Sequence, residues 1–289
     1  MSNTPRTEVL VSTDWVAGHS RDPGIRVVEV DVDTSAYAQG HVDGAIGWNW
    51  QTDLQDRVRR DILDPHGFAA LMSRSGISSD TTVVLYGDHN NWFACWALWL
   101  MDFYGHPKLR LMDGGRKKWV EEKRPLSAAA PTVAAGSYAV PAAHLELRAR
   151  RDHIFAVLDG GYAAQLVDVR SPDEFTGRVI APPRMTETAQ RGGHVPGAAN
   201  IPWAQAVQED GTFKPAEALR QLYAGNGITG EKEVITYCRI GERSAHTWFA
   251  LRYLLGYSRV RNYDGSWTEW GNIVGAPIEK EMSAAAASR

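Results

Sequence analysis

The chain has 289 residues, 44% of them hydrophobic and 22% charged, which suits two domains of roughly 100–150 residues that each bury a core. A formal charge of −3 excludes bulk attraction to nucleic acid or an anionic membrane, so any anion recognition must be local. Two cysteines exclude a disulfide framework, no apolar run approaches the roughly 18 residues of a membrane span, and Met1-Ser2-Asn3-Thr4-Pro5-Arg6 lacks the apolar run of a signal peptide, so a reducing, cytoplasmic setting is expected.

In chain order, Thr82-Val83-Val84-Leu85-Tyr86 has the β-branched content of a buried strand. Trp92, Cys95, Trp96, Trp99, Leu100 and Phe103 then recur at helical spacing, and Leu109-Arg110-Leu111-Met112 reads as the next strand. Cys95 stands among apolar neighbours there and reads as structural. Residues 126–153 change character. Ser127-Ala128-Ala129-Ala130-Pro131, Pro141 and the basic run Arg148-Ala149-Arg150-Arg151 suit an exposed linker. Beyond it the pattern returns, with a strand over 234–237, a helix over about 243–255 and a strand over 259–263. Strand, helix, strand in succession implies parallel pairing with helices on both faces. The alanine-rich stretch 283–289 has no core-forming pattern and is expected to fray.

The two halves repeat one another. Gly105 precedes Asp113 by the same interval as Gly256 precedes Asp264 (113−105 and 264−256, both 8), and Trp119 follows Asp113 as Trp270 follows Asp264 (both 6). Upstream, His41-Val42-Asp43-Gly44-Ala45 matches His194-Val195-Pro196-Gly197-Ala198. Two matches in register read as a duplicated domain. The expected organisation is an N-terminal domain over 1–125, a linker over 126–153, a C-terminal domain over 154–282 and a tail over 283–289.

The chemistry is expected after the strand at 234–237, because ligands of an open parallel sheet bind at the carboxyl ends of its strands. There the sequence runs Cys238-Arg239-Ile240-Gly241-Glu242-Arg243-Ser244 and then enters a helix. Unpaired backbone N–H groups and the positive end of the helix dipole converge on such a position. Arg239 and Arg243 add charge, and Gly241 lets the loop close. A thiol so placed is expected to have a lowered pKa and to rest as the thiolate. A buried structural cysteine is the commoner case, but a following run of Arg, Gly, Glu and Arg is a poor core environment. His246 lies in the helix and reads as a solvated or packing histidine. Asp168 and Arg170 read as a bracing ion pair near the loop, His194 as architectural, and Trp267 and Trp270 as either pocket-lining or core.

Leu166-Val167-Asp168-Val169-Arg170-Ser171-Pro172-Asp173-Glu174-Phe175, Gly193-His194-Val195-Pro196-Gly197-Ala198, Tyr237-Cys238-Arg239-x-Gly241-x-Arg243-Ser244 and Asp264-Gly265-Ser266-Trp267 together resemble the rhodaneses, over essentially the whole chain. The resemblance is strongest to the two-domain bacterial thiosulfate sulfurtransferases. It implies an α/β fold of two tandem rhodanese-like domains, each a mostly parallel sheet covered by helices. It also implies ping-pong chemistry. The Cys238 thiolate takes the outer sulfur of thiosulfate, sulfite leaves, and the persulfide passes sulfur to a thiophilic acceptor such as cyanide or a thiol. Arg243, Arg239, Gly241, Glu242 and Ser244 would bind substrate, with Asp168, Arg170, His194 and Trp267 supporting. Many animal members carry a lysine where Ile240 stands and an arginine where Glu174 stands, so the dianion would fall to Arg239 and Arg243. The first half has Gly87-Asp88 where the second has Cys238-Arg239 and reads as non-catalytic.

A 3-mercaptopyruvate sulfurtransferase is the nearest rival. A rhodanese-like phosphatase needs a seven-residue loop around phosphate, but here Arg243 lies only five positions after Cys238 (243−238). A non-catalytic binding module suits the first half and not the second. No metal constellation or nucleotide-binding glycine loop appears, and no cofactor, nucleic acid or membrane partner is expected.

Overall fold

The computed structural model describes residues 4–182 and 188–280, and within them the chain forms two compact units. One comprises Arg6–Leu145 together with Val207–Phe213, and the other Glu146–Ala206 and the chain from Lys214 onward, with residues 4–5. The tail expected at 283–289 lies outside the described residues.

The first unit carries strands β1 (Leu10–Val11), β2 (Ile25–Asp31), β3 (Ile46–Asn49), β4 (Gln55–Asp56), β5 (Asp61–Ile62), β6 (Thr82–Tyr86) and β7 (Leu109–Met112). Its principal helices are α1 (Thr13–His19), α2 (Pro65–Arg74), α3 (Asp88–Phe103) and α4 (Gly115–Glu121). The second unit carries β8 (Arg148–Ala149), β9 (Ala164–Asp168), β10 (Ala199–Asn200), β11 (Glu233–Tyr237) and β12 (Val260–Tyr263). Its helices are α5 (Arg151–Leu158), α6 (Pro172–Phe175), α7 (Ala216–Gly225), α8 (Glu242–Phe249) and α9 (Ser266–Trp270).

The five-stranded sheets have one topology. The first runs β1-β7-β6-β2-β3 and the second, taken from the strand that opens its half, β8-β12-β11-β9-β10. Every pairing within them is parallel, and only the small β4–β5 ribbon is antiparallel. The central strands β6 and β11 are buried almost throughout, as strands covered by helices on both faces must be, and this explains their unbroken apolar and β-branched runs. Local bonds repeat as well. The Tyr86 hydroxyl accepts from the Val42 amide at 3.0 Å, and the Tyr237 hydroxyl accepts from the Val195 amide at 3.1 Å. The duplication read from the sequence is therefore structural.

Three local expectations change. Arg148–Ala149, placed in the linker by composition, pairs with β12 as an edge strand. A two-residue strand has too little sequence to announce itself. The helical spacing from Trp92 is right, but His89, Asn90 and Asn91 ahead of it have φ of 51°, 53° and 64°, in the left-handed region. The helix expected over 243–255 is α-helical only to Phe249 and continues as a π-helical turn over Ala250–Leu254.

Candidate active site

Cys238 follows β11 directly and is fully buried. Its amide donates to the Ser266 hydroxyl at 3.0 Å, and its carbonyl accepts from the Trp267 amide at 3.1 Å, so the start of α9 clamps the residue from one side. The Gly241 amide points at Sγ from 3.2 Å, turning the helix start toward the sulfur. Gly241 has φ of 101°, and a Cβ there would lie 2.8 Å from Asp264 Cα, so both backbone angle and space require glycine. The Gly241 carbonyl accepts from Asn262 Nδ2 and from Ser244 Oγ, both at 3.1 Å. Ser244 thus braces the loop. Arg239 is buried, and its carbonyl accepts from the Thr268 amide and hydroxyl at 3.0 Å each.

The thiol corrects one expectation. Burial pushes the Cys238 pKa up, the Glu242 carboxylate adds to that, and Arg243 and the Ser244 amide oppose it without prevailing. Sγ lies 3.2 Å from Glu242 Oε2 and donates to it. The sequence shows the cations and the helix start, but not the depth of burial or the direction in which Glu242 points.

Arg243 also meets a partner that the loop sequence does not display. Its two terminal nitrogens donate to the two oxygens of Glu174 at 2.9 and 3.0 Å, and its Nε lies 3.6 Å from Glu242. Glu174 is itself fixed by the Ser171 amide and hydroxyl, each at 3.1 Å, in a capping box on α6. Burial pushes the Glu174 carboxyl up, and the Arg243 bonds and charge outweigh that, leaving it below its usual value. Arg239 and Arg243 stand against Glu174 and Glu242, so the formal charges of these four side chains cancel.

The supporting residues fall into place around this loop. Arg170 holds Asp168 through Nε and Nη2, donates to the Gly193 carbonyl at 2.7 Å, and lies 4.4 Å over the Trp267 ring. Asp168, Arg170 and Trp267 are thus one buried brace beneath the loop. His194 stacks on Phe175 with ring centroids 3.5 Å apart and hydrogen-bonds the Phe175 carbonyl. His246 is buried edge-on to Trp203, and burial lowers its pKa to about 3, which keeps the packing half of the sequence reading and removes the solvated half.

A cysteine on the central strand's exit loop, in a domain that occurs twice, fits the family read from the motifs. The model of the rhodanese-like domain matches residues 12–122 and again 156–273. The chain belongs to the rhodanese family. A protein of Haloferax volcanii that carries the name "Putative thiosulfate sulfurtransferase" is 53% identical over 286 residues, covering 97% of this chain and 99% of the relative. The sulfur carrier protein TtuD of Thermus thermophilus is 56% identical over 278 residues, 94% of this chain and 97% of that protein. A solved structure of EanB, in a cysteine-persulfide state with ergothioneine, has a TM-score of 0.84 at 24% identity over 98% of this chain and 73% of its own, a likeness of fold. The protein is a sulfurtransferase of two rhodanese-like domains.

The first rhodanese-like domain keeps the loop lock and has Gly87 where the second has Cys238. The Arg116 amide donates to the Gly87 carbonyl at 3.0 Å, as Trp267 does to Cys238. The registers Glu29↔Tyr86 and Asp168↔Tyr237 make Glu29 the counterpart of Asp168. The arginine has changed places, however. In the second domain it is Arg170, on the β9 exit, under Trp267. In the first it is Arg116, at the Trp267 position, donating to both oxygens of Glu29. A Cβ on Gly87 would lie 2.3 Å from the Val30 carbonyl. Gly87→Cys is therefore expected to yield no persulfide with thiosulfate and to lower the unfolding midpoint. Persulfide at the rate of Cys238 would contradict this, and mass spectrometry of the substituted peptide reads it.

Sequence reasoning quoted Ser266 in a motif without giving it a role and missed Asn262 and Thr268; the three hold the rhodanese loop from β12 and α9. Asp264-Gly265-Ser266-Trp267 was part of the motif, but hydrogen-bond direction is not a sequence signal. The pairing of Glu174 with Arg243 was also missed, although Ser171-x-x-Glu174 does spell a capping box.

Proposed function

We propose that the second domain moves sulfane sulfur from thiosulfate to a thiophilic acceptor, cyanide or a thiol, through a persulfide on Cys238. The observation that carries this reading is the Gly241 amide aimed at Sγ at the mouth of a helix, an arrangement suited to holding the extra sulfur of a soft persulfide anion. Sulfur of the donor bonds to Sγ as its bond to sulfite breaks, the electron pair leaving with sulfite. The acceptor then takes the terminal sulfur and restores Cys238. Arg239, Gly241, Glu242, Arg243 and Ser244 form the donor's surroundings, and Asp168, Arg170, His194 and Trp267 support them.

Thiosulfate is favoured over 3-mercaptopyruvate because the loop carries Arg239 and Arg243 where family members that use mercaptopyruvate carry a small uncharged loop; Glu174 and Glu242 offset the arginine charge, and the Gly241 amide and the helix start add to the attraction. The name of the Thermus relative favours a second reading of the acceptor, as a thiol in a sulfur-relay partner rather than cyanide. Side-by-side kinetics with the two donors test the assignment. The expected result is a higher kcat/KM for thiosulfate. A higher value for mercaptopyruvate would overturn the donor while leaving the Cys238 persulfide intact.

A further inference from the structure

The second half of the chain lends a short segment to the first unit. Val207–Phe213 pack with Arg6–Leu145, while the chain on either side, up to Ala206 and from Lys214, belongs to the second unit. The segment forms a turn of its own. Val207 and Phe213 make an antiparallel bridge, and the Gln208 amide donates to the Thr212 carbonyl at 2.8 Å. Asp210 Oδ1 accepts from the Thr212 amide and hydroxyl at 3.1 and 2.6 Å.

This turn lies across the exits of β6 and β7, the strands whose counterparts lead to Cys238 and Asp264. A Cβ on Gly211 would stand 2.9 Å from Asn90 Oδ1 and 3.2 Å from the Gly114 carbonyl oxygen. The Phe213 amide donates to Asp113 Oδ1 at 2.9 Å, Lys118 Nζ reaches Asp210 Oδ2 at 2.7 Å, and Lys117 Nζ donates to the Glu209 carbonyl. In the second domain, Arg148 holds the equivalent Asp264 through Nε and Nη2 at 2.8 and 2.9 Å. The registers Arg148↔Asn262 and Leu10↔Leu111 put Leu10 in the arginine's place in the first domain, and Asp113 takes the Phe213 amide instead.

On its N-terminal side the turn continues a short helical segment, Trp203–Ala206. The Trp203 ring stands edge-on to His246, with centroids 5.7 Å apart, and His246 lies four residues after Glu242 in α8 (246−242). No residue separates Ala206 from the turn, so tethering the turn removes conformational freedom from the segment that carries Trp203. The carboxyl edge of a parallel sheet is where such folds bind ligands. We propose that the first domain has kept that edge as a receptor for residues 207–213, and that their docking holds Trp203 against α8 and so positions the helix start beside Sγ. Asp113, Lys118 and Gly211 are then positioning residues for chemistry they never touch. The docking stands by itself, and its effect on turnover rests on the persulfide reading above.

The test is digestion with a glutamate-specific protease, since the 209–210 bond is cut only when the turn opens. Mass spectrometry reads the cut, beside thiosulfate–cyanide kinetics, for the wild type, Asp113→Asn, Asp113→Ala, Gly211→Val and Trp203→Leu. Asparagine keeps an oxygen for the Phe213 amide and should match the wild type in both measurements. Asp113→Ala removes the acceptor, and Gly211→Val puts a β-branched residue at a φ of 85°, against Gly114. Each is expected to speed the cut and to lower kcat/KM for thiosulfate by about five- to tenfold, the worth of a hydrogen bond or two. Trp203→Leu should show the kinetic loss with the turn still resistant. Unchanged cleavage in either Asp113→Ala or Gly211→Val overturns the docking, as does Asp113→Asn being cut as fast as Asp113→Ala. Fast cleavage at wild-type kcat/KM, or wild-type kcat/KM in Trp203→Leu, overturns the coupling. If thermal melting shows Asp113→Ala to be unfolded, Gly211→Val decides. A wild type that forms no persulfide would refute the underlying function and leave the cleavage result standing.

Discussion

Replacing Cys238 by alanine or serine is expected to abolish sulfur transfer, whereas Cys95→Ser should keep turnover within a few-fold. Sγ of Cys238 is the only sulfur on the loop beside the Gly241 amide, and a serine oxygen cannot accept the donor's sulfur to give a persulfide. Cys95 lies inside α3, wholly buried, where burial and the charge of Asp113 push its thiol well above the ordinary value and leave it unreactive. A serine there buries a hydroxyl in place of a small hydrophobe and should cost about 1–3 kcal/mol of stability. A thiosulfate–cyanide assay and a denaturation curve on each variant check both halves. Transfer surviving in Cys238→Ala would refute the mechanism.

Arg243→Ala is expected to be the most damaging substitution for stability at the site. It leaves Glu174 buried and without its charge partner, and breaking a buried pair in this way costs about 3–5 kcal/mol. The loss has a pH signature. Glu174 has its pKa depressed in the folded protein, so the pair's contribution is present above the unfolded value of about 4.3 and disappears as pH falls through the lower folded value. The stability gap between wild type and variant should therefore narrow on acidification. The surviving folded fraction should lose kcat/KM for thiosulfate by roughly 10- to 100-fold, with a smaller loss for mercaptopyruvate, since a charge-assisted bond is worth about 1.5–3 kcal/mol. Urea titrations at two pH values and kinetics with both donors read these effects. An unchanged unfolding midpoint at neutral pH would contradict the ion-pair account.

The duplicated fold was legible because long strands and a long apolar helix carry periodic signals. Thr82–Tyr86 and Leu109–Met112 were read to the residue. Arg148–Ala149 was not, because a two-residue edge strand is defined by its partner on β12 and not by its own composition. The left-handed backbone at His89, Asn90 and Asn91 was hidden by its position just ahead of a strong helical pattern. Yet asparagine is among the residues that tolerate it, and the Asn91 carboxamide fixes the turn by accepting from the Gly87 amide at 2.9 Å. At the site, Cys238 was legible from the polar residues Arg239, Glu242 and Arg243 on its C-terminal side. The upward push on its thiol was not, since that depends on burial and on the direction of Glu242. The engagement of Arg243 joins two residues 69 positions apart in the chain, a pairing that only the folded arrangement reveals.

The most direct measurement is the intact mass of the protein after brief exposure to thiosulfate, followed by peptide mapping. The account predicts a gain of one sulfur atom, located on the peptide that contains Cys238, absent in Cys238→Ala and removed by cyanide. An unmodified Cys238 peptide, or sulfur found on Cys95 instead, would contradict it.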